Sequence, residues 1–531
     1  MNRRNFLKNT ASASAGVVLA NVFNGFGLKA LTTSPFGNAL LQGTDTDKVL
    51  VMIQLGGGND GLNTVVPLDQ LSILNKARPQ VILPDSKLLS LSGEDKLALH
   101  PALSGVQKLY NDGKVRIIQS VGYPDQSYSH FRSTDIWMTG ANADQTLPTG
   151  WLGRYLSNEY PDFPTYYPNE EMPDPLSIEI GYATSLAFQG PITSMSYAIS
   201  DPEYFYELAD GLSQPTPETP AGHHLQYVLV ISRESKLYNA VVTKAYNANT
   251  NTQTYPQTNL AAQLAIVARL IAGGLKTRLY LVHLDGFDTH DSQVEFDDHT
   301  LGEHAQLLQI LSSAANAFIK DLSGLGVAER VLTMTFSEFG RRIIGNDSLG
   351  TDHGAAAPMF IFGQNVLPGI MGTNPQLPLN PNEDDNLPLQ YDFRQVYATI
   401  LRHWFCIPEA EATNIMLDNY TLLPFIAQSD CVSTNIEEQL PQTTSGGAVA
   451  LISASPNPFS RQTTIEYISG GGQMLLQVIN TTGQVVATLI KKSIASGKHQ
   501  VIFDSHNLPA GQYYIRLQQG LVNSVIGISK L

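Results

Sequence analysis

The sequence predicts a doubly wound α/β fold with a mostly parallel sheet, followed by a small C-terminal β-sandwich. Three observations carry this expectation. Residues 46–430 contain continuous apolar runs of strand length, and amphipathic helical stretches lie between them. Beyond residue 450 the pattern changes to short alternating runs at even spacing.

In the core, Lys48–Leu55, Val115–Val121, Arg278–Leu284, Arg330–Phe336 and Pro358–Phe362 are apolar runs rich in β-branched residues. Runs of this kind suit parallel strands covered on both faces. One helix places Leu260, Leu264, Val267, Leu270 and Ile271 on a single face, and another Leu307, Leu308, Leu311, Ala314, Ala315, Phe318 and Leu322. The stretch 158–258 is irregular and rich in proline and tyrosine, and reads as insertions or a cap over the sheet. Residues 431–450 are small and polar and read as a linker. In the tail, 451–531, the strand-like runs are Thr463–Tyr467, Met474–Ile479, Val485–Ile490, His499–Phe503, Tyr513–Gln518 and Val525–Ile528. Turns at Thr482-Gly483, Ser496-Gly497 and Pro509-Ala510-Gly511 separate several of them, as in a small sandwich.

The chain has 531 residues, too many for one ordinary core. A hydrophobic share of 43% and a charged share of 15% describe a folded protein rather than a disordered one. The formal net charge of -15 repels nucleic-acid phosphates and anionic lipid surfaces, so no nucleic-acid partner is expected. With Cys406 and Cys431 as its only cysteines, the chain has neither a disulfide framework nor a thiolate zinc cluster. One bridge formed after export and two free thiols both stay open.

Residues 1–42 read as an export signal. Arg3-Arg4-Asn5-Phe6-Leu7-Lys8 precedes a modest apolar stretch, Ala11 to Leu28, interrupted by Gly16, Asn21, Asn24 and Gly25. A stable membrane span wants about 20 strongly apolar residues, so none is expected in the mature protein. The motif resembles the twin-arginine signal, which implies the twin-arginine translocase as a partner and export of an already folded protein.

Polar motifs follow the strand runs. After the first comes Gly56-Gly57-Gly58-Asn59-Asp60, after the second Tyr128-Ser129-His130-Phe131-Arg132, and after the third Gly286-Phe287-Asp288-Thr289-His290. Ser337-Glu338-Phe339-Gly340-Arg341 follows the fourth, and Thr351-Asp352-His353 precedes the fifth. Each is a weak signal alone. Asp60 reads equally as a turn or helix cap, Ser129 as an N-cap, His290 and His353 as structural histidines, and Glu338 as a partner for Arg341 or Arg342. The triple glycine lacks the P-loop lysine. Together they converge on the edge where open α/β sheets bind ligands. Carboxylates and imidazoles without thiolates suit Zn, Mn, Mg or Ca, and one or two divalent ions are the expected cofactor.

Two resemblances add to this reading. The segments Leu55–Thr64, His100–Leu103, Ser129–Ser133, Gly150–Arg154, Gly286–His290, Thr335–Arg341, Gly350–Gly354 and Asp392–Tyr397 resemble the bacterial family known as domain of unknown function 1501. That family looks like a branch of the alkaline phosphatase and sulfatase superfamily. The resemblance implies an alkaline-phosphatase-like fold and a metal set drawn from Asp60, Asp288, His290, Glu338, Asp352 and His353. It also implies Ser129 as the nucleophile, with Ser133 and Thr134 open as replacements, and Arg132 or Arg341 steadying an anionic transition state. Glu338-Phe339 stands where that superfamily usually carries Asp-His, so one ligand of a second metal is missing. No cysteine precedes Cys406, which leaves formylglycine chemistry at a cysteine out. In the tail, Ser455-Pro456-Asn457-Pro458-Phe459, Asn480–Val486 and Asn507–Tyr514 resemble the type A sorting domain of the type IX secretion system of Bacteroidota.

The expected protein is therefore exported through the periplasm to the cell surface or beyond, with the type IX machinery as a partner. Its expected activity is metal-dependent hydrolysis of a phosphate or sulfate ester, including a sulfated or phosphorylated glycan. The alternative is a catalytically inactive binding or scaffold protein on the same fold.

Overall fold

The computed structural model describes residues 47–200, 238–427, 431, 450–480, 485–506, 508–519 and 522–530. The export signal and all but two residues of the expected linker lie outside them. Contacts place 44–432 in one compact unit, and the tail from Ser433 belongs to another.

In chain order the core strands are β1 (Val49–Gly56), β2 (Val65–Pro67), β3 (Leu89–Leu91), β4 (Glu94–Leu99), β5 (Val115–Gly122), β6 (Ser177–Ile180) and β7 (Tyr197–Ile199). They continue with β8 (Leu279–Asp285), β9 (Val331–Phe336), β10 (Arg341–Gly345), β11 (Thr351–His353), β12 (Ala357–Gly363), β13 (Gly369–Met371) and β14 (Tyr391–Asp392). The nine-stranded main sheet runs β13-β5-β12-β9-β1-β8-β6-β7, with β14 also paired to β5. A small sheet joins β2, β4 and β3, and β10 and β11 form a ribbon.

The main sheet is parallel except at β12, which runs antiparallel to both β5 and β9. The run Pro358–Phe362, expected as a parallel strand, is therefore reversed. β9 reaches β12 through the β10–β11 ribbon with no helix between, and parallel neighbours need a crossover. The reversal makes β12 enter the sheet at the edge where β5 ends, with Ala357 opposite Val121. A second difference lies in 158–258. Part of that stretch is regular, because β6 and β7 extend the parallel sheet beyond β8.

Five helices matter below: α1 (His130–Thr139), α2 (Trp151–Glu159), α3 (Asn259–Ala272), α4 (Glu303–Gly324) and α5 (Phe393–Thr399). Thr258 caps α3 by accepting from the Ala261 N–H, and Asp392 with Gln395 forms a capping box on α5. Alternation along β1 divides two cores. Val49, Val51, Ile53 and Leu55 pack with Leu264, Val267, Leu311 and Phe318 of α3 and α4. Leu50 and Met52 pack with Trp137, Trp151 and Tyr397 of α1, α2 and α5. Each face buries apolar surface worth about 25 cal/mol per Å². Cys406 and Cys431 are disulfide-bonded, closing a loop of sequence separation 25.

The tail holds β15 (Ala450–Ser455), β16 (Gln462–Ser469), β17 (Gly472–Asn480), β18 (Val485–Ile494), β19 (Gly497–Asp504), β20 (Gly511–Gln519) and β21 (Val522–Lys530). They form two antiparallel sheets, β15-β16-β19 and β18-β17-β20-β21. Ile465, Tyr467 and Phe503 of one sheet share a core with Leu476, Val478, Ile515 and Leu517 of the other. No helix among the described residues is long and apolar enough to cross a membrane.

Candidate metal centre

The glycines after β1 allow two loops to touch. Gly57 has φ +123°, and a Cβ there would lie 2.3 Å from the Asp288 nitrogen; at Gly58, φ +88°, it would lie 2.4 Å from the Phe339 ring. Only glycine fits both. The close approach lets the Gly57 N–H donate to Glu338 Oε1 at 2.8 Å. Arg341 ties the same loops together. Its fully buried guanidinium donates to the carbonyls of Gly57, Gly58, Phe287 and Thr351 and, at 2.8 Å, to Asp288 Oδ1.

Three imidazoles surround Asp288. His353 Nε2 lies 3.1 Å and His290 Nε2 3.2 Å from Oδ1, while His130 Nε2 lies 3.3 Å from Oδ2. The Nε2 atoms of His290 and His353 are 2.8 Å apart. The opposite ring nitrogens all face oxygens. His130 Nδ1 meets Glu338 Oε1 at 2.9 Å, His290 Nδ1 meets Asp352 Oδ1 at 3.1 Å, and His353 Nδ1 meets the Tyr128 carbonyl at 2.8 Å. Both nitrogens of each ring thus face acceptors, and a neutral ring has only one proton to give. With that proton on Nδ1, an Nε2 is a lone pair aimed at a carboxylate. A proton on one ring satisfies one such pair, whereas a cation satisfies them together. This matches the arrangement in which a metal-ligating imidazole donates its other N–H to an oxygen acceptor. His130, Asp288 and His353 offer ligand atoms all within 4.8 Å of one another.

The electrostatics favour an ionised Asp288. Burial pulls its pKa upward, but the Arg341 and His353 hydrogen bonds overcome this and hold it at about 2. Burial also acts upward on Asp352, and hydrogen bonds from Asn346 and His290 bring it below the usual carboxylate range. Burial pushes His353 down, toward the neutral form that ligates.

The core matches DUF1501. The match, to the family described as a protein of unknown function, spans residues 223–411. The DUF1501 segment holds Asp288, His290, Glu338, Arg341, Asp352 and His353, while His130 comes from the chain before it. Residues 453–527 match a secretion system C-terminal sorting domain, which marks the protein for export to the cell surface or extracellular space by type IX secretion. No curated protein matches the chain. Among similar solved structures, the PsFucS1 sulfatase from Pseudoalteromonas sp. is 11% identical, with 90% of this chain and 87% of that one covered at a TM-score of 0.33. A protein in the alkaline phosphatase superfamily from Vibrio parahaemolyticus is 10% identical, with 85% and 82% covered at 0.31. Likeness at these scores carries no weight for activity.

Of the residues expected from sequence, the DUF1501 segment brings Asp288, His290 and His353 into direct contact. Glu338 and Asp352 stand one step out, each facing the Nδ1 of an imidazole. Asp60 does not join them. Arg78 takes its two oxygens at 3.1 and 2.8 Å, and Gln293 and the Leu62 N–H add to them. Asp60 is corrected from metal ligand to helix cap and buried ion pair. Two further corrections concern the arginines. Arg132 donates to the carbonyls of Asn142, Ala143 and Gln145 and so fastens the loop after α1. Arg341 is spent on four carbonyls and Asp288. Arg341 is fully buried in these bonds, whereas Arg132 makes all three of its own through Nη2.

Ser129 is exposed at the N-cap of α1, next to His130, and its side chain makes no capping bond. Ser133 is committed elsewhere: its buried hydroxyl bonds the Glu338 carbonyl, Tyr123 and Gln126. Thr134 lies a full turn of α1 past His130. His130 is the candidate ligand that sequence reasoning missed. Its signal was present in Tyr128-Ser129-His130 after a strand, but the weight fell on the neighbouring serine.

Proposed function

We propose that His130, Asp288, His290 and His353 hold one divalent cation, and that this exported protein hydrolyses phosphate or sulfate esters there. The single observation behind the reading is that all three rings turn Nε2 toward Asp288 while each Nδ1 faces an oxygen. One ion is proposed rather than two. Asp60 is neutralised by Arg78, and Glu338 and Asp352 serve the imidazoles. Imidazole-rich ligation suits Zn or Mn better than Mg or Ca. When bound, such a cation supplies Lewis-acid stabilisation of charge on an ester oxygen. The chain's own residues do the rest. Arg341 orients Asp288, Glu338 and Asp352 set the rings, and Ser129 offers an uncommitted hydroxyl beside His130 as nucleophile. A sulfated or phosphorylated glycan is the substrate class that a cell-surface hydrolase of this kind meets.

One observation favours the second reading, a binding protein without turnover: both expected anion clamps, Arg132 and Arg341, are used on backbone carbonyls. Metal analysis of purified protein, beside hydrolysis of p-nitrophenyl phosphate and p-nitrophenyl sulfate before and after chelation, separates the readings. Metal with chelator-sensitive turnover supports the hydrolase. Metal without turnover supports the binding protein, and protein purified and reloaded without any bound metal refutes both.

We further propose that Arg3 and Arg4 direct export through the twin-arginine route, on the motif they begin. Both lie outside the described residues. Replacing both with Lys is expected to trap precursor in the cytoplasm; undiminished export would sink the assignment.

A further inference from the structure

We infer that Arg342 and Tyr128 form a second anion-binding position at the mouth of the centre, so that its ligand carries another negatively charged group beside the ester. This rests on the ester-binding reading above.

Arg341 and Arg342 are consecutive on β10, and side chains alternate along a strand. Arg341 turns into the protein and is spent. Arg342 turns the other way, with its side chain 20% exposed. It is held against the centre at its inner end, because Nε donates to the His353 carbonyl at 3.0 Å. Its guanidinium carbon lies 5.2 Å from the centroid of the Tyr128 ring. Tyr128 is fixed in turn. Its carbonyl accepts from His353 Nδ1 at 2.8 Å, and its hydroxyl accepts from Asn386 Nδ2 at 3.1 Å. Arg342 and Tyr128 thus both bear on His353, one of the proposed ligands.

The outer end of Arg342 is uncommitted. Its charged neighbour is Asp384 at 3.8 Å, whose side chain is 98% exposed, and an exposed pair of that length contributes little. Nη2 has no partner among the described residues. A planar guanidinium with its Nη end open matches the oxygens of a sulfate, phosphate or carboxylate. Phe131, next to His130 in sequence, is 88% exposed. The ligand chemistry is therefore one that carries two anionic substituents, as a sugar ring can.

The test compares glucose 6-phosphate with glucose 1,6-bisphosphate by calorimetry on the full chain loaded with zinc or manganese, carrying Ser129→Ala so that turnover does not consume either probe. The bisphosphate is expected to bind about ten-fold more tightly. Arg342→Gln should weaken bisphosphate binding more than monophosphate binding and bring the ratio of the two affinities near one. Asp384→Asn should widen it by removing the competing carboxylate. A preference that survives Arg342→Gln, or equal affinities in the Arg342 chain, overturns the second position and leaves the metal centre standing. A metal-loaded chain that binds neither probe overturns the ester-binding reading and this inference with it.

Discussion

His290 and His353 aim their Nε2 atoms at each other across 2.8 Å, while each Nδ1 faces an oxygen acceptor on the far side of the ring. With both protons on Nδ1, two lone pairs so placed repel unless something positive lies between or beside them. Arg341 already supplies one charge to Asp288, on the same oxygen that both rings face. The pair is therefore the most direct place to test for a cation.

Chelation should lower the melting temperature of the wild-type protein, since a ligand present at 100 to 1000 times its Kd stabilises the native state by roughly 3 to 4 kcal/mol. Asp288→Asn and His353→Ala should each begin near the chelated value and respond no further. Equal chelator responses in wild type and His353→Ala would remove the metal from the account.

Glu338 acts through His130, so Glu338→Gln should preserve the fold and weaken metal binding by about 10- to 100-fold. The glutamine keeps one acceptor for the Gly57 N–H, which protects the loop. A competition titration against a chromophoric chelator reads the change, and unaltered affinity would show that His130 does not ligate.

Asp60→Asn should cost about 3 to 5 kcal/mol, because it strands the fully buried Arg78 charge. Denaturant unfolding with and without chelator should give the same loss. A loss that disappears on chelation would return Asp60 to the ligand set.

Acid should unfold the protein through two buried histidines. Burial pushes His304 down to about 4, against the pull of Asp60 and with the help of Arg341 and Arg78. Burial and His304 push His100 down to about 3, again against Asp60. Both native pKa values lie below the ordinary 6.5, so the unfolded chain binds protons first as pH falls. Their stability is complete above about 6.5 and is lost progressively toward 4 and 3, by ~3 kcal/mol for His304. Urea midpoints measured between pH 7 and 4 should fall, and His304→Gln should flatten the slope. An unchanged slope would place the acid lability elsewhere.

Periodicity by itself determined the strands and helices that hold this protein together. The apolar run of β1, the apolar face of α3 and the alternating strands of the tail are local patterns, and burial follows from them wherever the chain goes. The convergence of Asp288, His290 and His353 was also legible, because each sits beside a strand end and strand ends of such a sheet share an edge. Tertiary structure decided the rest. The direction of β12 depended on a ribbon replacing a crossover helix. Whether Asp60 meets a metal or an arginine depended on Arg78, and whether Arg341 meets substrate depended on Gly57 and Gly58, 284 and 283 residues away. A side chain's charge is written in its identity, but its partner is chosen by packing between segments that sequence order leaves far apart. His130 joined the candidate site for the same reason, when α1 brought its first residue against Glu338 and Asp288.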